Sequence, residues 1–192
     1  MTNARFILAS SSPRRLALLA DIGVVPDKVV AADLDESPRL QEKPRELAER
    51  LSLEKLRAVA LREAGSFILA ADTVVGVGRR ILPKAETSGD VRDCLLLMSG
   101  RRHHVYTGVA LQTPQGKILH RVSDSTVIFL QMSSDDIEAY IQSGEGIGKA
   151  GGYAIQGRAG ALIRSISGSY SGIVGLPLFD VAQMLRGAGW GL

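Results

Sequence analysis

The chain has 192 residues, 45% of them hydrophobic and 5% aromatic, and a formal net charge of +3. This length and hydrophobic content predict one domain over residues 1–192. No apolar run approaches the roughly 20 residues that cross a bilayer, and the N-terminal residues lack a signal-peptide pattern. We therefore expect a cytoplasmic protein that binds no membrane. Because its basic residues are scattered and its aromatic residues few, a small anionic ligand fits better than a nucleic acid polymer.

The metal-ligating residue types are sparse. Cys94 is the single cysteine, which excludes an intrachain disulfide. Its apolar neighbours Val91 and Leu95 predict that it packs in a helix facing the core. The three histidines are too scattered to match a zinc pattern, so any metal is expected to be a hard cation held by carboxylates.

Short apolar runs alternate with amphipathic segments in the first half of the chain, which predicts an α/β fold. Phe6–Ala9 is expected to be a buried strand, followed by a helix over residues 13–22. Residues 24–33 have an extended pattern, and residues 46–64 form the longest predicted helix, closed by Gly65 as its C-cap.

The second half continues the alternation. A buried strand over residues 67–71 leads into Asp72 and is extended by residues 74–77. Two strands joined by a turn at residues 113–116 form a predicted hairpin. The predicted elements are strands over residues 104–112, 118–129 and 161–166, helices over residues 90–98, 134–143 and 178–186, and a glycine-rich loop over residues 144–152.

The start of the first helix is unusual. Ser12 suits the N-cap and Pro13 the first helical position. Arg14 and Arg15 follow, although the positive end of the helix dipole disfavours cations there. Two guanidinium groups beside free backbone N–H groups and serine hydroxyls would bind phosphate. Alternatively, both arginines point into solvent or pair with distant carboxylates.

Other polar residues end apolar segments. Asp72 follows a buried strand, where open α/β sheets place their ligands, so it could hold Mg²⁺ or orient a water, or it could cap a turn. Asp35 and Glu36 could bind a metal or act as a base, or could simply be solvated. Lys55 and Lys84 could be surface charges.

With these residues in view, the chain resembles the Maf proteins, which are nucleoside triphosphate pyrophosphatases. The resemblance covers nearly the whole chain. It rests, in order, on Ser-Ser-Ser-Pro-Arg-Arg at 10–15, Asp-Glu at 35–36, Arg-Leu-Ser-Leu-Glu-Lys at 50–55, Ala-Asp-Thr at 71–73, Met-Ser-Gly-Arg-Arg-His at 98–103, Val-Tyr-Thr-Gly at 105–108, Lys-Ala-Gly-Gly-Tyr-Ala-Ile-Gln-Gly at 149–157, Gly-Ser-Tyr at 168–170 and Val-Gly-Leu-Pro at 174–177.

The resemblance implies hydrolysis of a nucleoside triphosphate to its monophosphate and pyrophosphate, with Mg²⁺ or Mn²⁺ as cofactor. Pro13, the two arginines and Gln156 match the subgroup that prefers dTTP and UTP. Two alternatives remain: a preference for 7-methyl-GTP or inosine triphosphate, and a nucleotide-binding regulator of septum formation with little turnover. The implied fold is an elongated mixed sheet flanked by helices, with a central cleft between two lobes, similar to inosine triphosphate pyrophosphatases, and the implied assembly is a homodimer.

The resemblance also implies a set of site residues: Ser10, Arg14, Arg15, Glu36, Lys55, Asp72, Thr73, Lys84 and Gln156. Asp72 and Glu36 would hold the metal and align a water, with Asp72 as general base. Arg15 and Lys55 would neutralise the triphosphate. Gln156 can both donate and accept a hydrogen bond, which suits the edge of thymine or uracil, and Arg14 and Lys84 would help to select the base.

This chain departs from the family pattern in two loops. The family usually has Gly-Lys-Pro where this chain has Pro83, Lys84 and Ala85, which puts the placement of Lys84 in question. Gly146 and Gly148 stand where the family tends to have a proline and an aspartate. Their replacement by glycine predicts a more mobile loop with one acidic group fewer near the cleft, and hence lower activity or a changed metal preference.

Overall fold

A computed structural model describes residues 4–192, in which a seven-stranded mixed sheet is flanked by helices. The strands are β1 (Phe6–Ala9), β2 (Lys28–Val29), β3 (Phe67–Val77), β4 (Arg80–Leu82), β5 (Arg102–Gln112), β6 (Ile118–Phe129) and β7 (Ile163–Ser167). The helices are α1 (Pro13–Asp21), α2 (Pro44–Ala60), α3 (Ser88–Met98), α4 (Ser134–Gln142), α5 (Tyr170–Val174) and α6 (Leu178–Gly187), with a 3₁₀ helix at Arg158–Ala161.

The sheet combines parallel and antiparallel pairing. Its order is β2-β1-β3-β5-β6-β7, and β4 pairs with the end of β3. Strand β1 runs parallel to β2 and β3, whereas the pairs from β3 through β5 and β6 to β7 are antiparallel. The prediction of a mixed sheet flanked by helices is therefore confirmed.

Strand β1 and the first half of β3 are apolar throughout because both of their faces are covered. On one face, Ile7 and Ile68 pack against Leu56 of α2. On the other face, Phe6 and Leu69 belong to a core that α1, α5 and α6 complete. This two-sided burial explains why the sequence has continuous apolar runs there instead of an alternating pattern.

A second large core lies around the other half of the sheet. Leu95 and Met98 of α3 meet Phe129 of β6 there. Strand β3 connects the two regions, since Ala71 belongs to the first core and Val75 to the second. Asp72 lies on β3 between these two residues. These two cores form the two lobes that the resemblance implies. Strand β3 runs through both lobes and places Asp72 between them.

Several predicted boundaries differ from the structure. Helix α2 starts at Pro44, where the Glu46 carboxylate accepts the Lys43 N–H at 3.0 Å, and it ends at Ala60. Gly65, expected as its C-cap, instead has φ 74° in the turn before β3. Within residues 24–33, the paired strand is limited to β2. Strand β4, helix α5 and the 3₁₀ helix were not predicted.

Cys94 packs in the second core as predicted, with 3% of its surface exposed, and burial raises the pKa of its thiol to about 11. Such a thiol is protonated and unreactive at neutral pH.

Among the helices of residues 4–192, none combines the length and the apolar character needed to cross a membrane.

Candidate active site

An open cleft of about 910 Å³ lies between the two lobes. All of the residues that the resemblance implies line this cleft: Ser10, Arg14, Arg15, Glu36, Lys55, Asp72, Thr73, Lys84 and Gln156. They come from α1, α2, β3 and four loops that are distant in the chain. The fold therefore places the two arginines and the strand acid at one cavity.

A lysine between two carboxylates lies on one wall of the cleft. The Lys55 ammonium is 2.5 Å from Oδ1 of Asp72 and 2.6 Å from Oε1 of Glu36. Lys55 is buried because it lies on the side of α2 that packs against the sheet, and 10% of its side chain is exposed. A lysine held this firmly beside two acids is not the surface charge that its position in a helix could have indicated.

Asp72 is held in an environment that opposes its charge. Burial raises the pKa of this carboxyl above the ordinary aspartate value, while the nearby Lys55 and Arg15 cations act in the opposite direction. Its partner in the sheet register is Gly108 of β5. Because desolvation is the largest influence, Asp72 binds a proton more readily than an exposed aspartate does.

The residue opposite Asp72 allows α2 to approach the sheet. A Cβ atom at Gly108 would lie 2.2 Å from the Ala48 carbonyl oxygen and 2.8 Å from the Ser52 hydroxyl. Any other residue would push α2 away from the strand. Gly108 is part of the motif that supports the resemblance, yet its role becomes visible only when β5 and α2 are seen together.

Glu36 reaches the cleft from the loop that precedes α2. Arg50 of α2 holds that loop, because its guanidinium donates to the Ser37 carbonyl at 3.0 Å and to Glu42 at 2.7 Å. Asp35, the neighbouring candidate, instead accepts the Ser37 N–H at 2.9 Å in a local turn. The sequence alone does not identify Arg50, since charges of both signs are spread along α2 and give no sign of which residue holds a loop.

Arg15 is bound on several sides. Its Nε donates to the Gly175 carbonyl at 2.9 Å, and its two terminal nitrogens lie 3.1 Å from the Ser10 hydroxyl and 3.3 Å from the Thr73 hydroxyl. Burial lowers the pKa of Arg15 and the Asp72 charge opposes that change. The alternative that Arg15 points into solvent is therefore wrong.

The hydroxyl groups of this region form a chain. The Thr73 and Thr107 hydroxyls are 3.0 Å apart, and the Thr107 hydroxyl donates to the Gly172 carbonyl at 2.8 Å. Thr107 is completely buried. Ser12 occupies the N-cap position of α1, but its side chain makes no capping hydrogen bond; instead its N–H donates to the Ser10 hydroxyl at 3.2 Å.

The opposite wall carries Lys84 and Gln156. Lys84 and Ala150 form an antiparallel bridge, and the Ala85 N–H donates to the Lys149 carbonyl at 3.0 Å. This pairing holds Lys84 at the cleft although Pro83 and Ala85 depart from the family pattern. It also ties the glycine-rich loop to the segment after β4, which limits the mobility that Gly146 and Gly148 predict.

The segment before Gln156 is fixed by buried side chains. The Tyr153 hydroxyl is 2.8 Å from His103 Nε2, and the Ala154 N–H donates to the Tyr140 hydroxyl at 3.1 Å. Burial lowers the pKa of His103 to about 4, so the imidazole is neutral at physiological pH. His103 is therefore a structural residue of the second lobe.

Two carboxylates of the cleft, those of Asp72 and Glu36, lie together around Lys55. Within residues 4–192, no group of three or more histidine, cysteine, aspartate or glutamate side chains is arranged to hold an ion. Lys55 contacts one oxygen of Asp72 and one of Glu36, which leaves Oδ2 and Oε2 for another ligand. Two carboxylates fit Mg²⁺ or Mn²⁺ when substrate phosphates supply further oxygens.

Known proteins are similar to this chain over nearly its full length. A dTTP/UTP pyrophosphatase of Caulobacter vibrioides is 54% identical over 96% of this chain and 95% of its own. A dTTP/UTP pyrophosphatase of Gluconobacter oxydans is 55% identical over 95% of this chain and 86% of its own.

Solved structures include the Ham1 protein of Staphylococcus aureus, with 14% identity over 65% of this chain and 71% of that chain and a TM-score of 0.47. A dITP/XTP pyrophosphatase of Mycobacterium abscessus has 18% identity over 67% of this chain and 76% of that chain and a TM-score of 0.44. The family described as Maf-like protein matches residues 5–188, and with this match the chain belongs to the Maf family.

Proposed function

We propose that this protein hydrolyses dTTP and UTP between the α and β phosphates, releasing pyrophosphate and the nucleoside monophosphate. The observation that carries the proposal is the meeting of all implied site residues in one cleft of about 910 Å³. Relatives named dTTP/UTP pyrophosphatase, 54% and 55% identical to this chain, support the choice of substrate.

The chemistry assigned to Asp72 follows from its surroundings. A water oxygen attacks the α-phosphorus, the bond to the bridging oxygen breaks, and pyrophosphate leaves with that electron pair. The Asp72 carboxylate takes the proton of the water. Because burial raises its pKa, Asp72 is a better proton acceptor than an exposed aspartate would be. Lys55, 2.5 Å away, keeps it ionised before the reaction.

Asp72 and Glu36 would together hold a divalent cation, Mg²⁺ or Mn²⁺, through the oxygens that Lys55 leaves available. When bound, the cation neutralises phosphate charge. Lys55 and Arg15 contribute fixed positive charge to the same part of the cleft. These groups act before and during bond cleavage, since pyrophosphate carries negative charge as it leaves.

Base recognition is assigned to Gln156 on the opposite wall. Its amide can donate and accept at once, as the carbonyl and N–H groups of uracil and thymine require. The bonds at Tyr153 and Ala154 fix the backbone that precedes it. We therefore expect cytosine, which presents a different pattern of donors and acceptors, to be a poor substrate base.

Product analysis tests the proposal directly. Purified protein is incubated with single nucleoside triphosphates and Mg²⁺ or Mn²⁺, and the products are resolved by chromatography. UTP and dTTP should give monophosphate and pyrophosphate. Asp72→Asn and Arg15→Ala should lower the rate by at least about 100-fold, whereas Asp93→Asn, an exposed aspartate outside the cleft, should not.

Other product patterns would overturn the assignment. Turnover restricted to 7-methyl-GTP or inosine triphosphate would keep the reaction and change the base. Nucleotide binding without pyrophosphate release would favour the regulator of septum formation. The homodimer and the cytoplasmic location implied at the outset stay predictions, as does the exclusion of nucleic acid polymers as partners.

A further inference from the structure

A second group of basic side chains lines the cleft apart from Lys55 and Arg15. It consists of Arg14 in the first turn of α1, Lys84 after β4, and Lys149 in the glycine-rich loop. Nothing in the sequence reasoning gave Lys149 a role at the site. We call these three residues the cation group.

The cation group has no acidic partners in the part of the chain that the structure describes. The ion pairs of residues 4–192 include none of its three members. The Lys149 ammonium is 3.5 Å from the Ile147 carbonyl oxygen, a distance at the outer limit of a hydrogen bond. By contrast, Lys55 lies between two carboxylates, and Arg15 donates to three oxygens.

The three members line one cleft, and the Arg14 and Lys84 charges act on Lys149. Burial lowers the pKa of Lys149, and the Arg14 and Lys84 charges lower it further. Like charges brought together at a partly buried site are unfavourable unless an anion joins them. A bound anion with several negative oxygens would remove that repulsion, and each cation could donate to it.

The positions of Lys84 and Lys149 are fixed by their backbones. The Gly151 N–H donates to the Pro83 carbonyl at 2.9 Å, and the Gly148 N–H donates to the Ala85 carbonyl at 2.7 Å. The two lysines therefore stand on neighbouring, paired segments of backbone. A ligand with several anionic groups, such as two linked phosphates, could contact both lysines and Arg14 in the same cleft.

We propose that Lys149, with Arg14 and Lys84, binds the β and γ phosphates of the substrate and holds pyrophosphate as it leaves. This inference rests on the proposed function and assigns Arg14 and Lys84 to phosphate in place of base selection. Asp72, Glu36 and Lys55 act at the α-phosphate, so the outer phosphates require cations of their own. The exposed N-terminus of α1 beside Arg14 adds backbone N–H groups to the same site.

The glycine beside Lys149 contributes to the uncompensated charge. Gly148 has φ 72°, and a Cβ atom there would meet nothing within 4 Å. The resemblance implies an aspartate at this position in other members of the family, where its carboxylate would lie next to the lysine. With glycine, no carboxylate at position 148 competes with the ligand for the lysine. Asparagine and aspartate both tolerate this backbone conformation, so they can be compared there.

Inorganic pyrophosphate is the probe for the test. Its binding to the full chain in the presence of Mg²⁺ is measured by titration calorimetry. Lys149→Ala should weaken pyrophosphate binding about tenfold and leave binding of UMP unchanged, because UMP lacks the outer phosphates. Lys117→Ala is the matched control, since Lys117 is an exposed lysine in the turn between β5 and β6, outside the cleft.

A charge-only comparison tests the same site without removing a lysine. Gly148→Asp should bind pyrophosphate more weakly than Gly148→Asn, which has the same shape and backbone strain. Equal pyrophosphate binding by Lys149→Ala and the unaltered protein, or by the two Gly148 variants, would overturn the inference. Because these measurements need no turnover, they separate the inference from the proposed function, which product analysis tests.

Discussion

At the level of single residues, the shared lysine decides how the acids of the cleft behave. Two carboxylates near one another repel, and one of them tends to take up a proton. Lys55, at 2.5 Å from Asp72 and 2.6 Å from Glu36, offsets this repulsion. Burial nevertheless raises the pKa of Asp72, so the charge of this residue depends on Lys55.

This dependence predicts a change in the pH profile of Lys55→Met. Activity requires ionised Asp72, so kcat/KM falls as the pH decreases through the Asp72 pKa, which lies above the ordinary aspartate value. Removing the Lys55 cation raises this pKa further, and the acidic limb should move to higher pH by about one unit or more. The measurement is kcat/KM for UTP across the acidic and neutral range.

The control for this prediction is Lys117→Met, which removes an exposed lysine outside the cleft. Its acidic limb should coincide with that of the unaltered protein. A Lys55→Met protein with residual activity and an unmoved acidic limb would contradict the link between the lysine and the Asp72 proton. Lys55 would then act on the phosphates alone.

At the level of elements, the site depends on how closely α2 packs on the sheet. Lys55 comes from α2 and Asp72 from β3, and their contact needs the close approach at Gly108 of β5. The hydrogen-bonded register places Gly108 directly opposite Asp72. The absence of a side chain at Gly108 of β5 therefore lets Lys55 of α2 come within contact distance of Asp72 of β3.

Gly108→Ala should consequently lower both stability and activity. Its Cβ would lie 2.2 Å from the Ala48 carbonyl oxygen, which belongs to the backbone of α2, so the helix must move. We expect a loss of about 1 to 3 kcal/mol in the free energy of unfolding, as is typical of overpacking. Denaturant unfolding measures this loss, and kcat/KM measured well below the melting temperature reports the displacement of Lys55.

A matched alanine substitution is available in α6. Gly187 has nothing within 4 Å of an added Cβ, so Gly187→Ala should leave stability unchanged or raise it slightly. If Gly108→Ala unfolds at the same denaturant concentration as Gly187→Ala and remains fully active, the close approach of α2 is not required.

Elements with a strong local signal were predictable from the sequence. Strand β1 and helix α1 were located by a continuous apolar run and by Ser12 and Pro13 before the helix. Helix α5 was missed because it has five residues and contains Gly172, which disfavours helices. Strand β4 was missed because its three residues form a strand through pairing with β3.

The sequence predicts which residues line the cleft better than it predicts which residues hold them in place. Motif resemblance located the residues that line the cleft, but the partner of Arg15 at Gly175 is 160 residues away in the chain. Likewise, the contribution of Arg50 depends on a loop folding back onto α2. Contacts between distant segments are set by the packing of elements, for which a single sequence has no local pattern.

At the level of the whole molecule, the cleft joins two cores and carries an excess of positive charge. Among residues 4–192, five basic and three acidic side chains line it. A nucleoside triphosphate with one divalent cation has a net charge of about −2, which balances this excess. That residues 1–192 form one domain stays a prediction, and the passage of β3 through both cores supports it.

A ligand that contacts both lobes should stabilise the entire chain. Binding to the folded state alone adds about 2.7 kcal/mol at a ligand concentration 100 times the Kd, which corresponds to a rise in Tm of about 5–10 °C for a chain of this size. Scanning calorimetry of Asp72→Asn, which should not consume its substrate, measures this with UTP and Mg²⁺. At equal ligand concentration, UTP should raise Tm more than UMP does, because the outer phosphates of UTP reach Arg14, Lys84 and Lys149. Lys149→Ala in the same Asp72→Asn background should remove much of that difference. An equal rise in Tm with UTP and UMP would mean that the outer phosphates make no contact that distinguishes the folded protein.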